Sequence, residues 1–410
     1  MLSELFEFSA NFLGIKQQSY QRGILQEISL ATRCCIIQGD RGIGKTTALV
    51  QYLLKQAQNN RFDPDILYIP ADHFLMANKT LYEVAEEFTK LGGKHLAIDE
   101  IHKYPNWSME LKSINDTFMD LKVLVTGSSA LKIFQGSHDL GRRALIYKMF
   151  GLSFREYLEL KLDQKFTRYD LDQLVTNHQT YADNIINLLK KDDIKVLVQF
   201  QEYLLQGYYP YSLELDNINT FQLTLEQSIH TIIESDLASI HPSLTGHSIK
   251  KIKQLLAYIA SNVPFVPNWS KLKSLLEVGD ERTLKNYFTY LEDAALIRTV
   301  LKSTSKLSKL ENSEKIFLYN TNIASAITVG DTNKGNMRET FFLSMLSNRY
   351  QASLPCWGDF QIDPDYIFEI GGRKKDFNQI SGTAHAYLAL DDIEIGSAGK
   401  IPLWLFGFLY

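Results

Sequence analysis

The stretch Gly39-Asp40-Arg41-Gly42-Ile43-Gly44-Lys45-Thr46, followed by Thr47, has the spacing G-x-x-x-x-G-K-T. An apolar run from Arg33 to Gln38 precedes it, and Thr47 to Leu54 continues at helical spacing. Strand, glycine loop and helix are the context in which this spacing cradles a phosphate. The glycines let backbone N–H groups line a concavity, and the helix N-terminus adds partial positive charge at the same point. Lys45 is expected at the β- and γ-phosphates of a nucleotide, and the Thr46 hydroxyl on Mg²⁺.

A second constellation lies about fifty residues on, where His95-Leu96-Ala97-Ile98 runs into Asp99-Glu100. An apolar strand ending in two acids brings them to the carboxyl edge of a sheet, where open α/β sheets bind ligands. Asp99 is then a Mg²⁺ ligand and Glu100 the group that orients the attacking water. Acidic pairs also cap helices; the glycine loop upstream decides for the metal. A further run, Lys122 to Thr126, ends in Thr126-Gly127-Ser128-Ser129, with Ser128, then Ser129, expected to sense the γ-phosphate. A plain turn is the competing reading. Arg142 and Arg143 precede the next run, and one of them is expected to stabilise charge at its own or a neighbour's site. A surface pair is the alternative. Tyr20 and Arg22, upstream of the first strand, suit either contact beside an adenine or plain packing and solvation.

The C-terminal quarter holds a third set. Glu339 lies in a segment Arg338 to Phe342 expected to open a helix, Asp359 precedes a strand-like run, and Glu369 falls within Tyr366 to Ile370. Two carboxylates sharing a divalent ion, with a lysine nearby, make the PD-(D/E)xK nuclease pattern. Glu339, Asp359, Glu369 and Gln379 fit it, as a weak second metal site. The lysine does not: its expected position is Gly371, and Lys374 is the nearest lysine. Gly371 disfavours cleavage and favours a fold kept for binding nucleic acid or partners.

These residues need elements to hold them. Apolar runs at Ile66 to Ile69, Leu96 to Ile98, Val123 to Val125 and Ala144 to Tyr147 alternate with helical segments at Thr80 to Leu91 and Trp107 to Met119. That alternation predicts an α/β fold with a five-stranded parallel sheet. The segment 151–240 reads as an aromatic-rich helical lid. In 241–310, helices at Lys250 to Ala260, Ser270 to Leu276 and Glu281 to Ala294, then a strand Leu296 to Leu301, suggest a winged helix-turn-helix. Its recognition helix would offer Arg282, Lys285 and Asn286. Lys250, Lys251, Lys253, Lys271 and Lys273 make this the most basic stretch, for DNA contact or for protein packing alone. The segment 311–410 is the nuclease-like part, and 1–150 the nucleotide-binding part. At 410 residues the chain exceeds one core. Its net charge of -4 gives no global pull toward nucleic acid. Three cysteines, two of them adjacent, form no disulfide framework and suggest a reduced, cytoplasmic protein. The N-terminus has no signal-peptide pattern. Ile401 to Tyr410 is too short to span a membrane and reads as a buried terminal strand.

Taken in order, G-D-R-G-I-G-K-T-T, H-L-A-I-D-E-I-H-K-Y-P-N-W, V-T-G-S-S-A, L-G-R-R and G-L-S-F-R-E-Y-L resemble prokaryotic AAA-superfamily ATPases with a C-terminal domain of unknown function. The resemblance implies an ATPase core, helices, a winged helix and a restriction-endonuclease-like domain. It makes Lys45 and Thr46 the Walker A pair, Asp99 and Glu100 the Walker B pair, and Arg142 the arginine after the glycine, with the doubled arginine leaving Arg143 open. The expectation is an ATP-hydrolysing switch using Mg²⁺, acting on DNA, able to form a homo-oligomer, and not bound to membrane. The alternative is a regulatory scaffold that binds ATP and recruits protein partners; an ATP-dependent nuclease is a third.

Overall fold

A computed structural model describes residues 2–30, 32–127, 140–302, 315–328 and 333–410. The chain divides into two units, Met1–Gly151 and Leu152–Tyr410.

In the first unit, β1 (Cys34–Gln38), β2 (Ile66–Pro70), β3 (His95–Asp99), β4 (Lys122–Gly127) and β5 (Ala144–Lys148) form one sheet in the order β2-β3-β4-β1-β5. Every pairing is parallel. The runs lack strict alternation because a parallel sheet is covered on both faces. Leu67, Ile69, Leu96 and Ile98 are wholly buried, each contributing about 1.5–3 kcal/mol. Helices α1 (Leu2–Lys16), α2 (Lys45–Gln56), α3 (Leu81–Lys90) and α4 (Trp107–Thr117) accompany the sheet. Thr80 and Glu83 close a reciprocal capping box that starts α3. Cys34 and Cys35 are buried free thiols in β1. The edge strand β2 is not bare: α1 packs along it, and Ser9 Oγ accepts the Tyr68 backbone N–H at 3.0 Å.

The strand order sets the chemistry. Inserting β4 between β1 and β3 places three strand ends side by side: Gln38 before the glycine loop, Thr126-Gly127, and Asp99. All point the same way because the strands are parallel.

The second unit opens with α5 (Phe154–Leu162), capped by Ser153 and Glu156, then α6 (Leu171–Lys190) and α7 (Val196–Glu202). A π-helical turn Tyr203–Gly207 follows, then α8 (Ile218–Thr231). Next come α9 (Gly246–Asn262), α10 (Trp269–Leu275) and α11 (Glu281–Asp293), with an antiparallel ribbon of β6 (Ile297–Val300) and β7 (Lys315–Leu318). Leu284, Tyr287 and Leu291 form the buried face of α11, as their spacing predicts. After α12 (Thr321–Ile327) and α13 (Lys334–Leu346) comes a sheet in the order β12-β11-β10-β9-β8. Its strands are β8 (Ala352–Ser353), β9 (Phe360–Ile362), β10 (Tyr366–Gly371), β11 (Ala386–Leu390) and β12 (Lys400–Pro402). The pairs β10–β11 and β11–β12 are parallel; β8–β9 and β9–β10 are antiparallel. Phe342 of α13 packs on Phe360, Phe368 and Phe406.

Two expected boundaries are corrected. Helix α13 starts at Lys334 rather than Arg338, because the Asn333 side chain accepts the Gly335 N–H and caps it earlier. The terminal apolar run is a strand only over Lys400–Pro402; Leu403–Phe408 coils as a 3₁₀ turn. All six of its residues are buried, so no exposed face imposes a strand's alternation. Among the described residues, no helix is long and apolar enough to cross a membrane.

Candidate functional site

The loop after β1 needs its glycines. A Cβ at Gly39 would lie 2.2 Å from the Met149 carbonyl oxygen. Gly42 and Gly44 hold φ of 83° and 96°, open to glycine at no steric cost. Gly44 is also the N-cap of α2, with no side-chain cap over the first amides. Those amides are the donors an anion takes. Asp40, Arg41, Gly42, Ile43 and Thr47 complete the loop around Lys45 and Thr46. Arg22 braces it from behind, donating to the carbonyls of Ile43 (3.2 Å), Phe150 (2.7 Å) and Gly151 (2.9 Å). Gln51 of α2 donates to the Tyr20 carbonyl at 2.6 Å.

Lys45 is buried, and its Nζ donates to the Asp40 carbonyl at 2.6 Å. Burial lowers its pKa, while Glu100, Asp40 and Asp99 pull it back up. The ammonium is thus held inside its own loop by a carbonyl that a phosphate oxygen can replace.

Asp99 is the centre of the arrangement. Its Oδ2 accepts from Thr46 Oγ1 at 2.7 Å and from the Tyr68 hydroxyl at 2.9 Å, and its Oδ1 accepts from Thr126 Oγ1. The phenol of Tyr68 is pushed far up by burial and by Asp99, so it acts only as a donor. Thr126 Oγ1 in turn accepts the Glu100 N–H at 3.1 Å. Glu100 takes a left-handed backbone conformation, φ 52°, an arrangement that costs about 1 kcal/mol or more and gathers at functional sites. Its Oε2 lies 3.4 Å from Nε2 of the buried His102. The donor set of Thr46 and Asp99 is all oxygen and fits a hard divalent cation such as Mg²⁺.

Lys45, Thr46, Asp99 and Glu100 are thereby brought together as expected. Ser128 and Ser129 lie outside the described residues. Tyr68, Thr126 and His102 were missed. Thr126 stood one strand end away in the same motif, whereas nothing in the sequence marks Tyr68 as more than a core aromatic of β2.

The arginines lie at the other end of the sheet. Strands β1 and β5 pair with Cys34 opposite Ala144 and Gln38 opposite Lys148. Arg142 and Arg143 therefore sit at the amino edge of the sheet, while the glycine loop leaves its carboxyl edge. Five strand residues separate them, about 16 Å, which is more than an arginine side chain spans. Neither can reach the phosphates of its own loop. Arg143 is also tied to Asp116 at 2.7 Å, whereas Arg142 is exposed with φ 68°.

The C-terminal set converges differently. Glu339 from α13, Asp359 before β9 and Glu369 in β10 face Lys315, which lies 3.9 Å from Glu339 and 4.0 Å from Asp359. Burial, then Asp359, pushes the Glu339 carboxyl up to about 7. The lysine on Glu369 is Lys375, not Lys374: its Nζ pairs with Glu369 and donates to Gln379 Oε1 at 2.8 Å. A Cβ at Gly371 would lie 2.6 and 2.7 Å from Cβ and Cγ of Lys375. The Lys375 side chain fills the space that a residue-371 side chain would take. Among the described residues, no three His, Cys, Asp or Glu side chains close into a metal-ligand set, and these carboxylates pair with lysine ammoniums instead. A cleft of about 770 Å³ opens beside Asp359, Glu369 and Gln379.

Within α9–α11, Lys250, Lys271, Lys273, Arg282 and Asn286 are exposed. Lys251 donates to the Glu277 carbonyl, Lys253 pairs with Glu234, and Lys285 pairs with Glu281 over the Trp269 ring.

A family profile described as "AAA domain" matches residues 31–158, and "Domain of unknown function (DUF8612)" matches 197–334. The chain is 26% identical over 398 residues to the uncharacterized protein MJ1637 of Methanocaldococcus jannaschii, covering 89% of this chain and 81% of that protein. It is 25% identical over 293 residues to MJ1544 of the same organism, covering 69% and 59%. Among solved structures, the Walker-type ATPase PABY2304 of Pyrococcus abyssi aligns over 74% of this chain and 93% of that one, at 13% identity and TM-score 0.42. AMPPCP-bound DnaA from Aquifex aeolicus aligns over 66% and 84%, at 15% identity and TM-score 0.28. The first unit carries an AAA-type P-loop ATPase-like domain.

Proposed function

We propose that this AAA-type P-loop domain binds and hydrolyses Mg·ATP and that its nucleotide state switches the second unit, which acts on DNA. The observation that carries the reading is the 2.7 Å bond between Thr46 Oγ1 and Asp99 Oδ2. It joins the end of the glycine loop to the acid strand at the one edge where a triphosphate and its cation would lie. Bound there, Mg²⁺ supplies charge neutralisation to the phosphate oxygens. Lys45 leaves the Asp40 carbonyl for the β- and γ-phosphates, and the α2 amides take the remaining oxygens. Glu100, positioned by its strained backbone and by His102, orients the attacking water.

Since Arg142 sits at the far edge of the sheet, its charge serves catalysis from a neighbouring copy, and the working form is a homo-oligomer. The helical segment 151–240, the winged-helix-like 241–310 and the part 311–410 receive the signal. Lys250, Lys271, Lys273, Arg282 and Asn286 form the DNA-facing set. A regulatory scaffold that only binds ATP is the competing class; the Glu100 arrangement favours hydrolysis over it. Phosphate release measured with and without single- and double-stranded DNA tests the reading. Stimulation by DNA supports it, and turnover indifferent to DNA at low salt removes the DNA part.

A second reading, phosphodiester hydrolysis at Glu339, Asp359 and Glu369, is favoured by Lys375 standing in the space beside Gly371. The lysine missing from position 371 is then supplied four residues later in the chain. Nicking of supercoiled DNA with Mn²⁺ checks this with an exchange of the two residues. Lys375→Gly abolishes nicking, and adding Gly371→Lys to it restores nicking. Unaltered chain that nicks nothing leaves the carboxylates as an ion-paired structural cluster.

A further inference from the structure

Three hydroxyls converge on Asp99, and two of them come from the glycine loop and β4. The third, Tyr68, belongs to β2, on the far side of β3. Its hydroxyl donates to the same Oδ2 that accepts from Thr46, at 2.9 and 2.7 Å. The Tyr68 ring is fully buried and lies flat on Phe12, with centroids 4.3 Å apart and planes 8° from parallel. Phe8 stacks on Phe12 at 5.8 Å. Ser9, between the two phenylalanines on α1, accepts the Tyr68 backbone N–H at 3.0 Å. One turn of α1 therefore grips both the backbone and the ring of Tyr68.

We propose that Tyr68 is a positioning residue that fixes the carboxylate of Asp99 for the nucleotide-bound cation, and that α1 thereby forms part of the nucleotide site. A carboxylate held by one hydroxyl can rotate when that hydroxyl turns to a metal; one held from three directions stays aimed. When Thr46 gives up its bond to ligate the cation, Tyr68 and Thr126 remain to hold Oδ2 and Oδ1 in place. Tyr68 is buried with its hydroxyl on Asp99, and it acts through that carboxylate. The inference rests on Asp99 being the cation ligand of the proposed ATP site.

The test is the affinity of the full chain for a fluorescent ATP analogue, measured with Mg²⁺ and with EDTA. In the unaltered chain Mg²⁺ tightens binding. Tyr68→Phe, which keeps the stacked ring, should reduce that Mg²⁺-dependent gain by about tenfold, the worth of about one hydrogen bond to a charged group, with affinity in EDTA unchanged. Phe12→Leu, which keeps the hydroxyl and loosens the ring, should shift the gain the same way by less. An undiminished Mg²⁺ gain in Tyr68→Phe overturns the inference and leaves the ATP reading intact. A parallel loss in EDTA also overturns it, since that is a general structural effect. No analogue binding by the unaltered chain overturns the ATP reading and this inference with it.

Discussion

Thr46 and Asp99, 53 residues apart in sequence, share a 2.7 Å hydrogen bond across the carboxyl edge of the first sheet. Under the proposed function, Thr46 and Asp99 are the residues that would hold Mg²⁺, and this bond sets them side by side before the cation arrives. Asp99→Asn keeps the shape but removes the charge. We expect it to lower Mg²⁺-dependent hydrolysis about tenfold to a hundredfold, with ATP affinity in EDTA retained. Titrating Mg²⁺ in a phosphate-release assay checks this.

Gly39 passes the Met149 carbonyl so closely that a methyl group has no room, at 2.2 Å. Gly39→Ala must push the loop away from the end of β5. The overpacking cost is about 1–3 kcal/mol, read as a lower urea midpoint, with ATP binding lost alongside. Gly92 is the contrast: its Cβ position faces open space but its φ is 92°, so Gly92→Asn carries backbone strain of about 1 kcal/mol without a clash.

Arg142 and Arg143 separate by experiment. Arg143→Ala breaks an exposed pair with Asp116, and exposed pairs contribute little, so turnover should stay near that of the unaltered chain. Arg142→Ala should lower turnover by about a hundredfold or more. If the arginine acts between copies as proposed, mixing inactive Arg142→Ala with inactive Lys45→Ala should recover activity. A mixture that stays inactive argues against action between copies.

Three histidines carry a pH prediction. His95, His178 and His241 are each held below the ordinary value of 6.5, burial being the largest cause in all three. They stay neutral in the folded chain at pH values where the unfolded chain binds protons. With more protons bound when unfolded, stability rises with pH in that window. It is fully present above 6.5 and lost as pH falls from 6.5 toward the folded pKa values. Urea midpoints from pH 8 to 5 should fall below pH 6.5, and less steeply in His178→Gln. Among the described residues, His178 Nδ1 is buried with no hydrogen-bond partner.

Much of the first unit was legible because its signals are local. The five strands, the glycine loop and the Asp99-Glu100 edge follow from apolar runs ending in particular residues. Tyr68 was hidden because its role depends on strand order, and β2 reads simply as a buried strand. The place of the arginines was hidden for the same reason. Proximity in sequence to β5 says nothing about which end of the sheet the chain has reached, and only the register Cys34–Ala144 decides it. Lys375 escaped for a different reason. A motif counts residues along a strand, while the space beside Gly371 can be filled by a side chain returning from the following turn.

The central claim is hydrolysis by Glu100 at the Thr46–Asp99 site, and one comparison tests it most directly. Purified full chain and its Glu100→Gln variant are assayed together for Mg·ATP binding and for phosphate release. The account predicts equal binding, with release in Glu100→Gln lower by about a hundredfold or more. Equal release by the two chains, or none by the unaltered chain under conditions where it binds ATP, would contradict it.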